Sequence, residues 1–318
     1  MINCREVTVA LILVLLCSTT LGSVCLQPVK AQYQGDLIIN ADGTVTPSSA
    51  PILQSGNMYS LTSDINGTIT VNRSNVVLDG NKHTIDVKSI FDIGITLNDT
   101  TNSTIINFSV VGGQFGISVY GTSNVVSDNT VSSVNNGIYS LDEPTGGIAL
   151  SGTSNSIYRN TLQGNLVGIN FFGGLPLLNC SFNLIVGNTF TDCSTAVLLY
   201  DSSNNTFYHN NLINNENDVH DSGLGNYPQV ISINTWDNGY PSGGNYWSDY
   251  KTKYPNAKEI DSTGIEDTPY AVDSNNMDHY PLTKPATASI PEFPSLIILV
   301  PVTIAASLAL LYFKKRKH

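Results

Sequence analysis

The sequence predicts an all-β chain wound into a parallel β-helix, a solenoid of stacked coils, and three observations carry that prediction. The first is a repeat. Asparagines recur at Asn107, Asn129, Asn160, Asn188 and Asn210, with spacings of 22, 31, 28 and 22 residues. Four of the surrounding segments align without gaps: SNVVSDNTV (123–131), SNSIYRNTL (154–162), FNLIVGNTF (182–190) and NNTFYHNNL (204–212). Self-similarity at such a period, sometimes enlarged by an insertion, marks a solenoid. The second is local pattern: short apolar runs flank each asparagine, bounded by Gly, Asn and Ser, with no helical stripe between residues 32 and 290. The third is a second marker in phase, GISVYGTSN (116–124) and GIALSGTSN (147–155), with weaker copies at 168–174 and 196–204. A coil of this length fits three short strands and three turns, and coils stack at roughly 4.8 Å.

Each element follows from its residues. Residues 1–31 read as a secretory signal peptide: Arg5, an apolar run from Val7 to Leu21, then the small-x-small site Val29-Lys30-Ala31. Residues 32–72 should form the N-terminal cap and first strands, and 73–226 the coils. Identical amides in register can bond up and down a stack, so the five asparagines are expected to form one inward ladder. Gly137, Gly168 and Ala196 each lie 13 residues after an asparagine (124, 155 and 183), where a small residue lets the backbone turn tightly. The Pro- and Gly-bearing insertions LDEPTGG (141–147) and FGGLPL (172–177) should be outward loops.

Residues 227–285 form an aromatic-rich C-terminal cap, and 286–295 a linker containing Pro291-Glu292-Phe293-Pro294. Leu296 to Phe313 is an uninterrupted apolar stretch of 18 residues, long enough to span a bilayer as one transmembrane helix. The basic tail 314–318 belongs on the cytoplasmic side, which places the β-helix outside the cell. Between Gln32 and Glu292 the chain has 8 Lys/Arg and 24 Asp/Glu, a net of −16, which argues against nucleic acid as a partner. Seven Asn-x-Ser/Thr sequons begin at Asn66, Asn72, Asn98, Asn102, Asn107, Asn179 and Asn204 and suit an exported glycoprotein. Cys180 and Cys193 are the cysteines left after signal removal, and an oxidising compartment permits them to pair.

Three groups of residues carry candidate chemistry. Asp128 and Arg159 share one column of successive coils and are the weak catalytic candidates, with a cross-coil charge pair as the simpler reading. Trp236, Asp237, Tyr240, Tyr246, Trp247 and Asp249 are the carbohydrate-binding candidates, because sugars stack on aromatic faces and donate to carboxylates. The same segment can instead cap the open end of the solenoid. Asp261, Asp267 and Asp273 offer oxygen ligands for Ca²⁺. Copper would want clustered Met, Cys or His, whereas His83, His209, His220, His279, Met58 and Met277 show no ligand spacing.

The Asn-rich repeats, VLDG (77–80), NTWDNGYPSGGNYWSDY (234–250) and DTPYAVDSNNMDHYPL (267–282) together resemble the NosD-like family. That resemblance covers about residues 36–285 and implies a right-handed single-stranded parallel β-helix of the pectin-lyase-like superfold. It also implies an archaeal surface protein, since PEF before an apolar span and a basic end is similar to a sorting signal processed by an archaeosortase. The stretch 261–267 resembles a calcium loop in which Thr263 replaces an acidic residue. The expected function is a surface-anchored, non-catalytic protein that binds polysaccharide or cell-envelope glycan. A polysaccharide lyase or glycoside hydrolase and a copper-handling accessory protein are the alternatives.

Overall fold

The computed structural model describes residues 32–132, 145–173, 180–222 and 231–287. The expected signal peptide, residues 133–144, 174–179 and 223–230, the PEFP motif, the apolar span and the basic tail lie outside them, as do Gly137 and Asn179. No helix among the described residues is long and apolar enough to cross a membrane.

Tyr33 onward forms a parallel β-helix. Its described strands make a nine-stranded, a ten-stranded and an eight-stranded sheet, each running along the stack. Every coil gives one strand to each sheet. Inward residues repeat by column, as in Ile105, Val126, Ile157, Ile185 and Phe207 of the eight-stranded sheet. All five are fully buried in one continuous core. Antiparallel hairpins Leu37–Ile39/Val45–Thr46 and Ile52–Ser55/Met58–Leu61 stand at the N-terminal end of two sheets.

The corner between the eight- and nine-stranded sheets corrects the expected ladder. Thr104–Ile106 pairs with Val125–Ser127, so Asn107 faces Asp128, and Phe108 faces Asn129. Asn107 therefore sits outside the ladder, at the left-handed turn position it shares with Asp128, Arg159, Gly187 and His209. The ladder is Asn129, Asn160, Asn188, Asn210 and Asn245, the last supplied by the cap. A second ladder at the next corner joins Asn124, Asn155, Asn183, Asn205 and Asn234. In both, each side-chain oxygen accepts the backbone N–H of the preceding rung, so an inward amide satisfies a buried turn that water cannot reach.

The ten-stranded sheet has a column of minimal side chains: Gly94, Gly116, Gly147, Gly168, Ala196. A Cβ on Gly168 would lie 2.6 Å from the Phe190 ring, which explains the size limit. The column ends on Asp218. Gly146 and Gly147, expected in an outward loop, belong to the strand Gly146–Thr153, and Phe172 ends the strand Val167–Phe172. Cys180 and Cys193 are free, buried thiols facing different carbonyls, Leu150 and Leu162.

Candidate functional site

The segment after the last coil closes the solenoid. Tyr246–Trp247 adds to the nine-stranded sheet beside Asn211–Ile213. Trp236 stacks on Phe207 at 4.3 Å, extending the core column, and Trp247 stacks on Tyr270 at 4.1 Å. Both tryptophans are 1% exposed. They are first of all the hydrophobic seal of an open core, so the reading of them as free stacking platforms is corrected. Beneath them Asp278 is fully buried and accepts hydrogen bonds from the Asn245 N–H at 2.7 Å, the Trp247 indole at 2.9 Å and the Tyr280 N–H at 3.0 Å. Burial outweighs these donors and pushes its carboxyl up to about 7.

Two clefts open beside the seal. One, of about 290 Å³, lies where the last coil meets the cap and is lined by Asn215, Glu216, Asp218, Trp247, Asp249 and Tyr270. Asp218 accepts the Asn215 amide at 3.1 Å. Burial pushes its carboxyl up to about 6; the Asn215 bond opposes this and Asp249 adds to the rise. Asp249 precedes the one-turn helix Tyr250–Lys253 and accepts the Tyr270 hydroxyl at 3.2 Å. Lys253 sits 3.9 Å from the Tyr270 ring centre. The cleft thus joins a protonation-prone acid, a second carboxylate, amides and aromatic walls.

The other cleft, of about 320 Å³, is lined by Trp236, Asp237, Asp273, Asn276, Met277 and His279. Asp237 accepts the His279 N–H at 3.0 Å and meets its Nδ1 at 2.9 Å. Asp273 closes a tight turn, accepting the N–H of Asn275 and Asn276 and the Asn276 amide.

The remaining candidates are dispersed. Tyr240 is 50% exposed with its ring 6.2 Å from that of Tyr280, and Tyr246 is half-buried in the sheet. Asp128 and Arg159 form a two-pronged ion pair, with both contacts at 2.7 Å, on the outer turn column and away from either cleft. Such a pair ties one coil to the next. Asp267 accepts the Lys258 N–H and the Thr268 hydroxyl, while Asp261 is exposed at a left-handed turn. No group of three or more His, Cys, Asp or Glu arranged to hold a metal occurs among the described residues, so Asp261, Asp267 and Asp273 do not converge on a Ca²⁺ site.

Sequence reasoning missed Asp218, Tyr270 and the pairing of His279 with Asp237. A signal existed for Asp218: it replaces Gly or Ala at the end of an otherwise minimal column. No comparable signal marks the others, whose partners are 21 and 42 residues away in non-repeating sequence.

Residues 145–252 match the family model described as periplasmic copper-binding protein (NosD). They take in the later coils and the first part of the cap, the strands of which stack in parallel register. Over these residues the chain is a NosD-like parallel β-helix. No curated protein and no solved structure matches it. The NosD-like match covers the cleft of Asp218 and Asp249 apart from Tyr270 and Val272, and stops before Asp273 and His279 of the other.

Proposed function

We propose that this NosD-like protein binds carbohydrate at its C-terminal cap, without catalysis, as an exported protein of the cell envelope. The observation that carries this is the cleft of about 290 Å³ in which Asp218, Asp249 and the amides of Asn215 and Asn217 line a polar recess over the buried Trp247 and Tyr270. Sugars take C–H contact from rings and hydrogen bonds from carboxylates and amides. The exposed Tyr240 and its neighbour Tyr280 extend the aromatic surface of the cap. The apolar span 296–313 with its basic end would hold the body at the outer face of the membrane. A glycan array and a pull-down on isolated cell envelope test the reading. Binding by the wild type, weakened in Asp249→Asn and Tyr240→Ala, supports it; a blank array with no envelope binding removes it.

A second reading is copper handling, and one observation favours it. Met277 and His279 line the same cleft, and Asp237 engages His279 Nδ1, leaving Nε2 for a metal. Thioether and imidazole are copper ligands, and a carboxylate behind the imidazole is the usual orienting partner. Titration with Cu(I) against a competing chelator decides this. A tight site lost in Met277→Leu and His279→Ala would establish it, and no site would dismiss it.

A further inference from the structure

The turns that lead into the eight-stranded sheet stack in one column, Asn75, Asn102, Ser123, Ser154, Phe182 and Asn204, and all six hold the left-handed backbone. Short polar residues suit that conformation and bulky ones do not. Phe182 is the exception: its φ is 57° and it is 66% exposed. The fold does not ask for an aromatic ring there, since the two coils before it place Ser123 and Ser154 in the same turn. The Phe182 N–H donates to the Asn204 carbonyl at 3.0 Å, and the Asn204 N–H donates in turn to the Ile233 carbonyl at 2.8 Å. Ile233 is 59% exposed. Asn204 thus stands between two exposed apolar side chains, each one rung away, roughly 4.8 Å along the stack.

Asn204, Asn205 and Thr206 form a sequon, and the structure separates it from the others. A sequon is usable only where the asparagine nitrogen and the hydroxyl two residues on can both be reached. Asn204 is exposed, and its side-chain amide has no hydrogen-bond partner among the described residues. Thr206 faces outward, because its neighbour Phe207 enters the core. Elsewhere the amide is engaged or covered. Asn98 donates to Asn72 at 2.8 Å, Asn102 to Asn75 at 3.0 Å and Asn107 to Asp79 at 3.1 Å. Asn66 is half-buried within the strand Ile65–Asn66. A sugar attached at an exposed turn presents a C–H face, and an aromatic ring one rung away covers it. That accounts for Phe182 in a turn that otherwise takes serine or asparagine.

We infer that Asn204 is a covalent N-glycan attachment site and that Phe182 is the surface on which the first sugar of that glycan rests. The inference rests on the export reading, because the donor, an oligosaccharide carried on a lipid phosphate, is met outside the cytoplasm. In the transfer Asn204 Nδ2 bonds to the anomeric carbon and the carbon–oxygen bond to the lipid phosphate breaks. The phosphate leaves with the electron pair, and one amide proton passes to the transferase. The test takes the protein from its own cells and maps its peptides by mass spectrometry. A glycan mass is expected on most copies of the peptide bearing Asn204, and none at Asn98 or Asn107. Thr206→Val keeps Asn204 and a good strand former but deletes the sequon hydroxyl, so it should abolish the modification in a folded chain. Phe182→Ser should lower the thermal midpoint of the glycosylated protein by about 2–4 °C. In the Thr206→Val background the same change should raise it, because the ring then has no sugar to cover and the turn favours serine. A chain that has lost its signal peptide but is bare at Asn204 would overturn the inference and leave export standing. A chain that keeps its signal peptide would overturn both. An equal shift from Phe182→Ser in the two backgrounds would overturn the role given to the ring.

Discussion

Asn188 Oδ1 accepts both hydrogens that Asn160 turns toward it, the backbone N–H at 2.9 Å and the side-chain amide at 3.0 Å. Its own amide donates to the Ile157 carbonyl at 2.8 Å. Truncation to Ala strands buried groups on two coils at once. Asn188→Ala should destabilise the protein by roughly 2–4 kcal/mol, whereas Asn107→Ala, on the outer turn, should cost well under half as much. Urea unfolding of the two variants side by side measures the difference. Equal losses would contradict the register.

The Asp128–Arg159 pair is about a quarter exposed on each side. Hydrogen bonding to Asp128 is the main cause of the raised affinity of Arg159 for its proton. A pair of this exposure contributes on the order of 1 kcal/mol, less in high salt. Arg159→Ala and Asp128→Ala should each shift the thermal midpoint slightly and leave glycan binding unchanged. Incubation with uronic-acid polymers, with and without Ca²⁺, should release no product that either substitution abolishes.

Asp278 titrates higher in the fold than its ordinary value of 3.8, at about 7, chiefly because it is buried. The folded state therefore holds a proton that the unfolded chain releases. That contribution to stability is complete below the unfolded value and is lost as pH rises through the folded one. Asp218, raised to about 6, acts in the same sense. The thermal midpoint should fall between about pH 4 and about pH 7, and Asp278→Asn should flatten that fall. A rising midpoint across the same interval would refute the assignment.

Burial pushes the Cys180 thiol up to about 12 and Cys193 to about 11. A thiol kept protonated and covered is a poor nucleophile. Neither cysteine should react with an aromatic disulfide reagent at neutral pH in the native protein, and both should react in denaturant. Their mobility should be the same with and without reductant.

What could be read from the chain divides by kind of residue. Asn129, Asn160, Asn188 and Asn210 were legible because the segments around them align without gaps. Asn107 was misplaced by one position: its spacing matched the period, but its strand, Thr104–Ile106, registers with Val125–Ser127 and gives the ladder slot to Phe108. Asn245 was invisible because 35 residues of unlike sequence separate it from Asn210. The aromatic block 236–250 follows the last coil, with Tyr246–Trp247 paired to Asn211–Leu212, and its sequence did not say which rings point inward.

The sequence by itself determined the coil. Stacking repeats one environment at every rung, so one amide, one apolar pattern and one minimal residue recur and can be counted without coordinates. Only the tertiary structure decided where chemistry gathers. Asp218 meets Asp249 and Tyr270, and Asp237 meets His279, across segments that share no repeat and no local pattern. Those meetings depend on how the cap closes over the last coil, a fit of surfaces that leaves no periodic trace in the chain.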